Sequence, residues 1–274
     1  GAGSGGRGGA AAGGATGGVA GGVAGVGGTA GVTTTYSPCP APPALCKILP
    51  FGDSITMGVG SNGSNSNGGY RVELFHRAHA DGKSITFVGT ATANGPTMVD
   101  GVTFPRQHEG HSGYTIDNAP GKSGISPLVT RVMPATKPDI VTLMIGTNDV
   151  QHDIDVTNAP ARLGKLLDSI IATDAHMLLV VAQIVPTTDA KVNVAVQAFN
   201  NAIPALVNSR SAAGKHIILV DMYQPIASAP GFQASGSTVP DNKVGPMYDW
   251  LHPNVAGYKV MGDTWYDAIK GALR

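Results

Sequence analysis

A three-layer α/β/α sandwich built on a five-stranded parallel sheet is the fold this sequence predicts, and three observations predict it. Short apolar runs alternate with longer amphipathic ones, the rhythm of βα repeats. The apolar runs show little polar alternation, as in parallel strands covered on both faces. Polar residues of chemical interest fall just beyond or at the ends of the first three runs, where open α/β sheets form their sites.

Taken in order, the strands are expected at 47–51, 84–89, 140–145, 177–184 and 216–220, each short and rich in Ile, Val, Leu or Met. Helical patterns occupy 70–80, 125–133, 159–173, 192–211 and 254–273. In the last of these, Val255, Tyr258, Met261, Trp265 and Ile269 recur at helical spacing and read as one buried stripe. Pro204 lies inside the 192–211 pattern and is expected to kink or split that helix. Two long connections, 90–115 and 223–251, run along the same edge of the sheet as the polar residues, and loops of that length in a domain tend to be functional.

The folded part is expected to span 39–274, entered through Pro40, Pro42 and Pro43. Before it, residues 1–38 form a leader whose first 31 residues are roughly half glycine with a single charge, Arg7. Such a segment buries too little apolar surface to offset its ordering entropy and reads as a disordered linker. The sequence starts at Gly1 rather than methionine, so a targeting signal would have been removed. A glycine-rich leader before a folded domain suits a protein that is secreted or tethered at the cell surface.

Charge excludes some partners. The 18 basic and 18 acidic residues balance and no basic stripe occurs, which argues against nucleic acid. No apolar stretch is long enough to cross a bilayer. The two cysteines, Cys39 and Cys46, flank a Pro-rich hexapeptide. They close a small disulfide loop suited to an oxidising compartment, or stand as two buried thiols.

The chemistry rests on three short segments. Gly52-Asp53-Ser54 follows the first strand, Gly146-Thr147-Asn148-Asp149 follows the third, and Asp249-Trp250-Leu251-His252 lies near the C-terminus. Acyl transfer to a serine needs a base, a group that orients the base, and donors for the developing oxyanion. Ser54 supplies the hydroxyl, His252 the base and Asp249, three residues earlier, the orienting carboxylate. The backbone N–H groups of Ser54 and Gly89 and the side-chain amide of Asn148 are the expected oxyanion donors. Asp53 and Asp149 are expected to hold their turns by backbone hydrogen bonds, with Asp53 also near enough to the site to touch substrate.

These segments resemble the four blocks of the SGNH (GDSL) hydrolases: Gly52-Asp53-Ser54, Gly89 within Phe87-Val88-Gly89-Thr90, Gly146-Thr147-Asn148-Asp149, and Asp249-x-x-His252-Pro253. The resemblance covers the chain from about Lys47 to the C-terminus and implies a flavodoxin-like sandwich and a Ser54–His252–Asp249 triad. It also implies an oxyanion hole from Ser54, Gly89 and Asn148, in a mechanism that requires no cofactor. A structural calcium is compatible with it, although no ligand set can be assigned. Gly68-Gly69-Tyr70-Arg71 and His108-Glu109-Gly110-His111-Ser112-Gly113-Tyr114-Thr115-Ile116 are similar to carbohydrate esterase family 3, a group of acetyl xylan esterases. The function implied is deacetylation of plant polysaccharide by a monomeric serine esterase. Lipase or arylesterase action on a small ester substrate is the alternative, and a non-catalytic carbohydrate-binding module is a third reading.

His108-Glu109-Gly110-His111 lacks the four-residue histidine spacing of a zinc helix. Gly110-His111-Ser112-Gly113-Tyr114 departs from the G-x-S-x-G elbow, because Tyr114 stands where the final glycine should be. His111 and Tyr114 are therefore expected to line the cleft rather than to carry the reaction. Asn62-Gly63-Ser64 fits a glycosylation sequon.

Overall fold

Residues 36–60, 67–92, 95–235 and 245–274 are described by a computed structural model. In chain order the elements are β1 (Cys46–Gly52), the one-turn helix α1 (Ser54–Met57), α2 (Tyr70–Ala80) and β2 (Ile85–Phe87). A small hairpin of β3 (Met98–Val99) and β4 (Val102–Thr103) follows, then the two-residue β5 (Glu109–Gly110). The remainder is α3 (Val129–Thr136), β6 (Ile140–Met144), α4 (Thr147–Gln151), α5 (Ala159–Ile171), β7 (Leu178–Ala182), α6 (Ala190–Ala212), β8 (Ile217–Val220), α7 (Tyr223–Ala227) and α8 (Val255–Ile269).

The main sheet has the order β2-β1-β6-β7-β8, and every pairing along it is parallel. These are the five strands expected from the apolar runs. All residues of β6 and β7 are buried, which explains their lack of alternation. Helix α2 packs on α8, while α3, α5 and α6 pack on one another, so two helical layers enclose the sheet. Parallel strands place all their carboxyl ends on one edge, and the polar segments lie there.

One strand of the main sheet was not expected, nor was the separate β3–β4 hairpin. β5 pairs parallel with β1 at Phe51↔Glu109 and Gly52↔Gly110, where β2 no longer reaches. β2 itself pairs only with residues 46–48 of β1. The upper half of β1 is thus flanked by a segment that arrives more than twenty residues after β2. The 223–251 connection also contains more structure than expected, since α7 lies within it.

In α8, Tyr258, Met261, Trp265 and Ile269 are buried, and the Trp265 ring lies 5.7 Å from that of Tyr70 on α2. Val255 is instead 48% exposed. It is the first residue of the helix, and a side chain there leans back past the helix end rather than onto the neighbouring layer.

Pro204 does not split α6, which runs unbroken from Ala190 to Ala212. A proline at 204 leaves the carbonyl of Asn200 without its helical donor. The side-chain amide of Gln183, just beyond β7, donates to that carbonyl at 3.3 Å. The Asn200 side chain in turn pairs with both backbone groups of Ile184, at 2.9 and 2.8 Å. The helix is therefore carried through the proline by polar groups borrowed from the adjacent strand end.

Cys39 and Cys46, both buried, form a disulfide that ties the segment before β1 to its first residue. The described unit that contains it runs from Ser37 to Arg274. Residues 1–35 of the expected leader and the sequon at Asn62 lie outside the described residues. No helix among the described residues is long and apolar enough to cross a membrane.

Candidate active site

β1 ends at Gly52, and a side chain there would collide with the carbonyl oxygen of Met144 on β6 and the hydroxyl of Thr56, so the position admits only glycine. Asp53 then caps the short helix α1, its Oδ1 accepting from the N–H of Ile55 at 2.9 Å. That cap fixes Ser54 as the first helical residue at the carboxyl end of the strand. Asp53 itself is fully buried. Desolvation raises its pKa to about 6 against the pull of the Ile55 bond and the nearby His252. The structure thus gives Asp53 the role of a helix cap beneath Ser54.

The Oγ of Ser54 lies 3.0 Å from Nε2 of His252, and Nδ1 of His252 lies 2.9 Å from Oδ2 of Asp249. The other carboxylate oxygen of Asp249 accepts the N–H groups of Leu251 and His252, at 2.7 and 2.6 Å, which curls the segment so that acid and imidazole meet. Burial alone would raise the Asp249 carboxyl. The bond and charge of His252 and the two backbone donors outweigh it and hold the group below its ordinary value. A carboxylate on Nδ1 selects the tautomer that carries its proton there, leaving Nε2 free to accept from the serine hydroxyl. The arrangement can remove the serine proton and later return it to a leaving group.

Several elements hold His252 in place. A side chain at Gly60 would strike the Pro253 carbonyl and the His252 Cβ, so the turn after α1 packs directly on the histidine. The hydroxyl of Tyr258 on α8 donates to the carbonyl of Val59 in that same turn. Asn254 caps α8, accepting from Gly257 at 3.0 Å, and its amide bonds the carbonyls of Gly245 and Met247. On the far side, the carbonyl of Trp250 accepts from the N–H of Thr188 in the segment after β7.

Asn148 lies on the first turn of α4, at the end of β6, the strand that pairs with β1. Its amide donates to the carbonyl of Tyr114 at 2.8 Å. Asp149 is buried, accepting from Ile116 N–H at 3.0 Å and from the Arg162 guanidinium at 2.7 Å. It ties its loop to the segment at Ile116 and to α5. Desolvation raises its pKa despite the arginine.

Gly89 is not brought to Ser54. β2 ends level with Ile48 of β1 at Phe87, which places Gly89 about two strand residues, roughly 7 Å, short of Gly52 and further still from the serine. It lies against the main chain of His108, within 2.3 Å of where its Cβ would stand. Register carries a later glycine, Gly113, past the level of Gly52. β5 carries the chain to Gly110 opposite Gly52, and the N–H of His111 bonds the Gly52 carbonyl at 3.0 Å. Gly113 follows with φ of 78° and open space at its Cβ position, next to the Tyr114 carbonyl that holds Asn148. The signal for it stood in the 108–116 motif.

Sequence reasoning also missed Glu109. Its carboxylate is fully buried and bonds Nε2 of His111 at 2.7 Å and the N–H of Thr90. Burial would raise it, but His111 and Thr90 hold it below the usual carboxylate range. The His111 ring stacks on Tyr114 at 4.7 Å. Among the described residues, no group of three or more His, Cys, Asp or Glu side chains is placed to hold a metal ion, so the described side chains offer no acidic cage for the calcium considered above.

The model of the family "GDSL-like Lipase/Acylhydrolase" matches residues 48–265. A multidomain esterase of Ruminococcus flavefaciens is 28% identical over 263 residues, 88% of this chain and 31% of the relative, so the chain spans about a third of that protein's length. The solved family 3 carbohydrate esterase of Clostridium thermocellum superposes with a TM-score of 0.64 at 29% identity, covering 84% of this chain and 98% of that one. A family 3 carbohydrate esterase from Talaromyces cellulolyticus shares the fold at 23% identity and a TM-score of 0.62, over 83% and 97% of the two chains. The match extends from the first strand through most of α8 and takes in the serine, the asparagine and the histidine segments; the chain belongs to the GDSL-like lipase/acylhydrolase family, a family of ester hydrolases.

Proposed function

We propose that this chain is a serine esterase that removes acetyl groups from plant polysaccharide, with acetylated xylan as the substrate class. The observation that carries the reading is the continuous chain of hydrogen bonds from Ser54 through His252 to Asp249. Its geometry supports Ser54 as nucleophile, His252 as general base and Asp249 as the group that orients the ring and stabilises its cation. Ser54 attacks the acetyl carbonyl as its proton passes to His252 Nε2. The oxyanion is received by the N–H of Ser54, the amide of Asn148 and, in place of Gly89, the N–H of Gly113. The proton on His252 passes to the departing sugar oxygen, and a water deprotonated by the same imidazole clears the acetyl-enzyme.

Support for a carbohydrate ester comes from the 29% identical neighbour, which is named a family 3 carbohydrate esterase. The stacked His111 and Tyr114, held at the serine's level by Glu109 and by the Asn148 bond, supply a flat, partly exposed surface for the sugar side of the ester. The disulfide suits an oxidising compartment and supports a secreted or surface-tethered protein.

Turnover on acetylated xylan, on aryl acetates and on long-chain acyl esters tests the substrate class. Release of acetate from the polysaccharide, with little activity on long acyl chains, is the expected result. A strong preference for long chains would replace the polysaccharide reading with a lipase one. Labelling of the native protein by a fluorophosphonate, abolished in Ser54→Ala, is expected; its failure in the native protein would remove the esterase mechanism itself.

A further inference from the structure

A second concave site lies on the same edge of the sheet. It opens where β7 and β8 end, between α6 and α7, with a volume of about 320 Å³. Its lining is Gln183 and Asp221, which follow the two strands, Gln197, Asn200 and Asn201 from α6, and Tyr223 and Gln224 from α7. Side-chain amides dominate, one carboxylate is present, and no basic group contributes. Such a surface offers both donors and acceptors but no charge for an anion, and one carboxylate alone makes no cation site. It suits the vicinal hydroxyls of a neutral sugar.

The lining is already ordered. The Tyr223 hydroxyl accepts from the amides of both Asn193 and Gln197, at 2.9 and 2.7 Å. Both lone pairs are then in use, which leaves the phenolic hydrogen to donate. Gln183 spends its amide nitrogen on the Asn200 carbonyl, which leaves its oxygen as an acceptor. One oxygen of Asp221 takes the N–H of Gln224 at 2.8 Å. Side chains fixed this way lose little further entropy when a ligand binds.

Position relates this crevice to the candidate active site. From β1 to β8 the sheet advances by three inter-strand spacings, about 14 Å in all. The segment that leaves the crevice at Gln183 reaches the loop of Asp249 and His252 five residues later, through the Thr188–Trp250 bond. A linked sugar chain whose acetyl group sits at Ser54 has to lie along some direction of this edge, and the crevice is a polar hollow, among the described residues, in the direction of β8.

We propose that the crevice between α6 and α7 is a second sugar-binding subsite, which holds an unacetylated residue of the same polysaccharide chain a few sugars from Ser54. This rests on the polysaccharide reading above for its substrate class. Two measurements test it. Unsubstituted xylo-oligosaccharides are titrated by calorimetry into Ser54→Ala protein and into the same protein carrying Asn201→Ala and Asp221→Ala. Kinetics are then compared between wild type and Asn201→Ala/Asp221→Ala, on aryl acetate and on acetylated xylan.

The expected result is affinity for the oligosaccharide weakened at least fivefold by the crevice substitutions. The KM for acetylated xylan rises by a similar factor, while kcat and aryl acetate hydrolysis are unchanged. Equal affinity with and without the substitutions, or no binding at all, would overturn the subsite. Failure of the substrate reading looks different: the oligosaccharide binds in the crevice, but wild type releases no acetate from the polymer.

Discussion

Ser54 and His252 stand 198 residues apart in the chain, and the structure joins them by a hydrogen bond of 3.0 Å. The join depends on two independent devices. Asp53 caps a one-turn helix that presents Ser54 beyond β1, and the Gly60 turn backs directly onto His252. Neither side chain needs to search for the other once the sheet and α8 are formed.

The role assigned to Asp249 gives the first prediction. Asp249→Asn keeps the size of the side chain but offers the imidazole an amide in place of a carboxylate. The ring then loses both the preference for the productive tautomer and the partner for its cation. The expected loss in kcat is large, on the order of 10³ to 10⁴-fold, by comparison with the same change in a serine protease triad. KM on aryl acetate stays within a few-fold. An unchanged kcat in steady-state assays would mean that Asp249 only shapes the loop through its bonds to Leu251 and His252.

Asp53 gives a prediction about stability and pH. Its carboxyl is raised from 3.8 to about 6 in the folded protein, chiefly by desolvation. The folded state therefore binds the proton more tightly than the unfolded chain does. Its stabilising contribution is full below pH 3.8 and is lost as pH rises toward 6; above that the folded protein carries the whole cost of a buried charge. Asp53→Asn keeps an oxygen for the Ile55 cap and removes the titration. The variant should lose less stability than wild type between about pH 4 and 6, with a difference on the order of 3 kcal/mol across the window. Denaturant melts at several pH values measure it, and parallel curves for the two proteins would contradict the shift.

Asn148 and Gly89 should part company when each is changed. Asn148→Ala removes the proposed oxyanion donor and is expected to lower kcat by about 10² to 10³-fold with little change in KM. Gly89→Ala forces a Cβ into the His108 main chain at a φ of 153°. It is expected to destabilise the fold by about 1–3 kcal/mol and to leave kcat per folded molecule near wild type. If Gly89→Ala lost activity without losing stability, the glycine would have to be returned to the oxyanion hole.

The contrast between those two residues shows what was legible in the sequence. Strand runs such as 140–145 are buried on both faces, so composition alone reveals them. Two of the chemical segments follow such a run and the third precedes the last helix, so their edge of the sheet could be read as well. The glycine proposed for the oxyanion hole could not, because its placement depends on β5, a two-residue strand with no apolar signature that replaces β2 beside the upper part of β1. Partners far apart in sequence were equally hidden. Nothing at positions 109 and 90, or at 183 and 200, marks them as hydrogen-bonded before the sheet brings them together.

That last pair carries the remaining prediction. Gln183 bonds the carbonyl that Pro204 deprives of its helical donor. Gln183→Leu should leave a part-buried acceptor without its protein donor and cost about 1 kcal/mol of stability. In a Pro204→Ala background the helix supplies its own donor, the residue at 204 bonding the Asn200 carbonyl. The same Gln183→Leu change should then cost markedly less. A double-mutant cycle measured by urea unfolding reads the difference as a coupling energy. A coupling of about 1 kcal/mol is the expected outcome, with the single Pro204→Ala variant close to wild type because it exchanges one donor for another. Additive effects would show that the helix tolerates its proline without Gln183, and that the amide is positioned for the crevice alone.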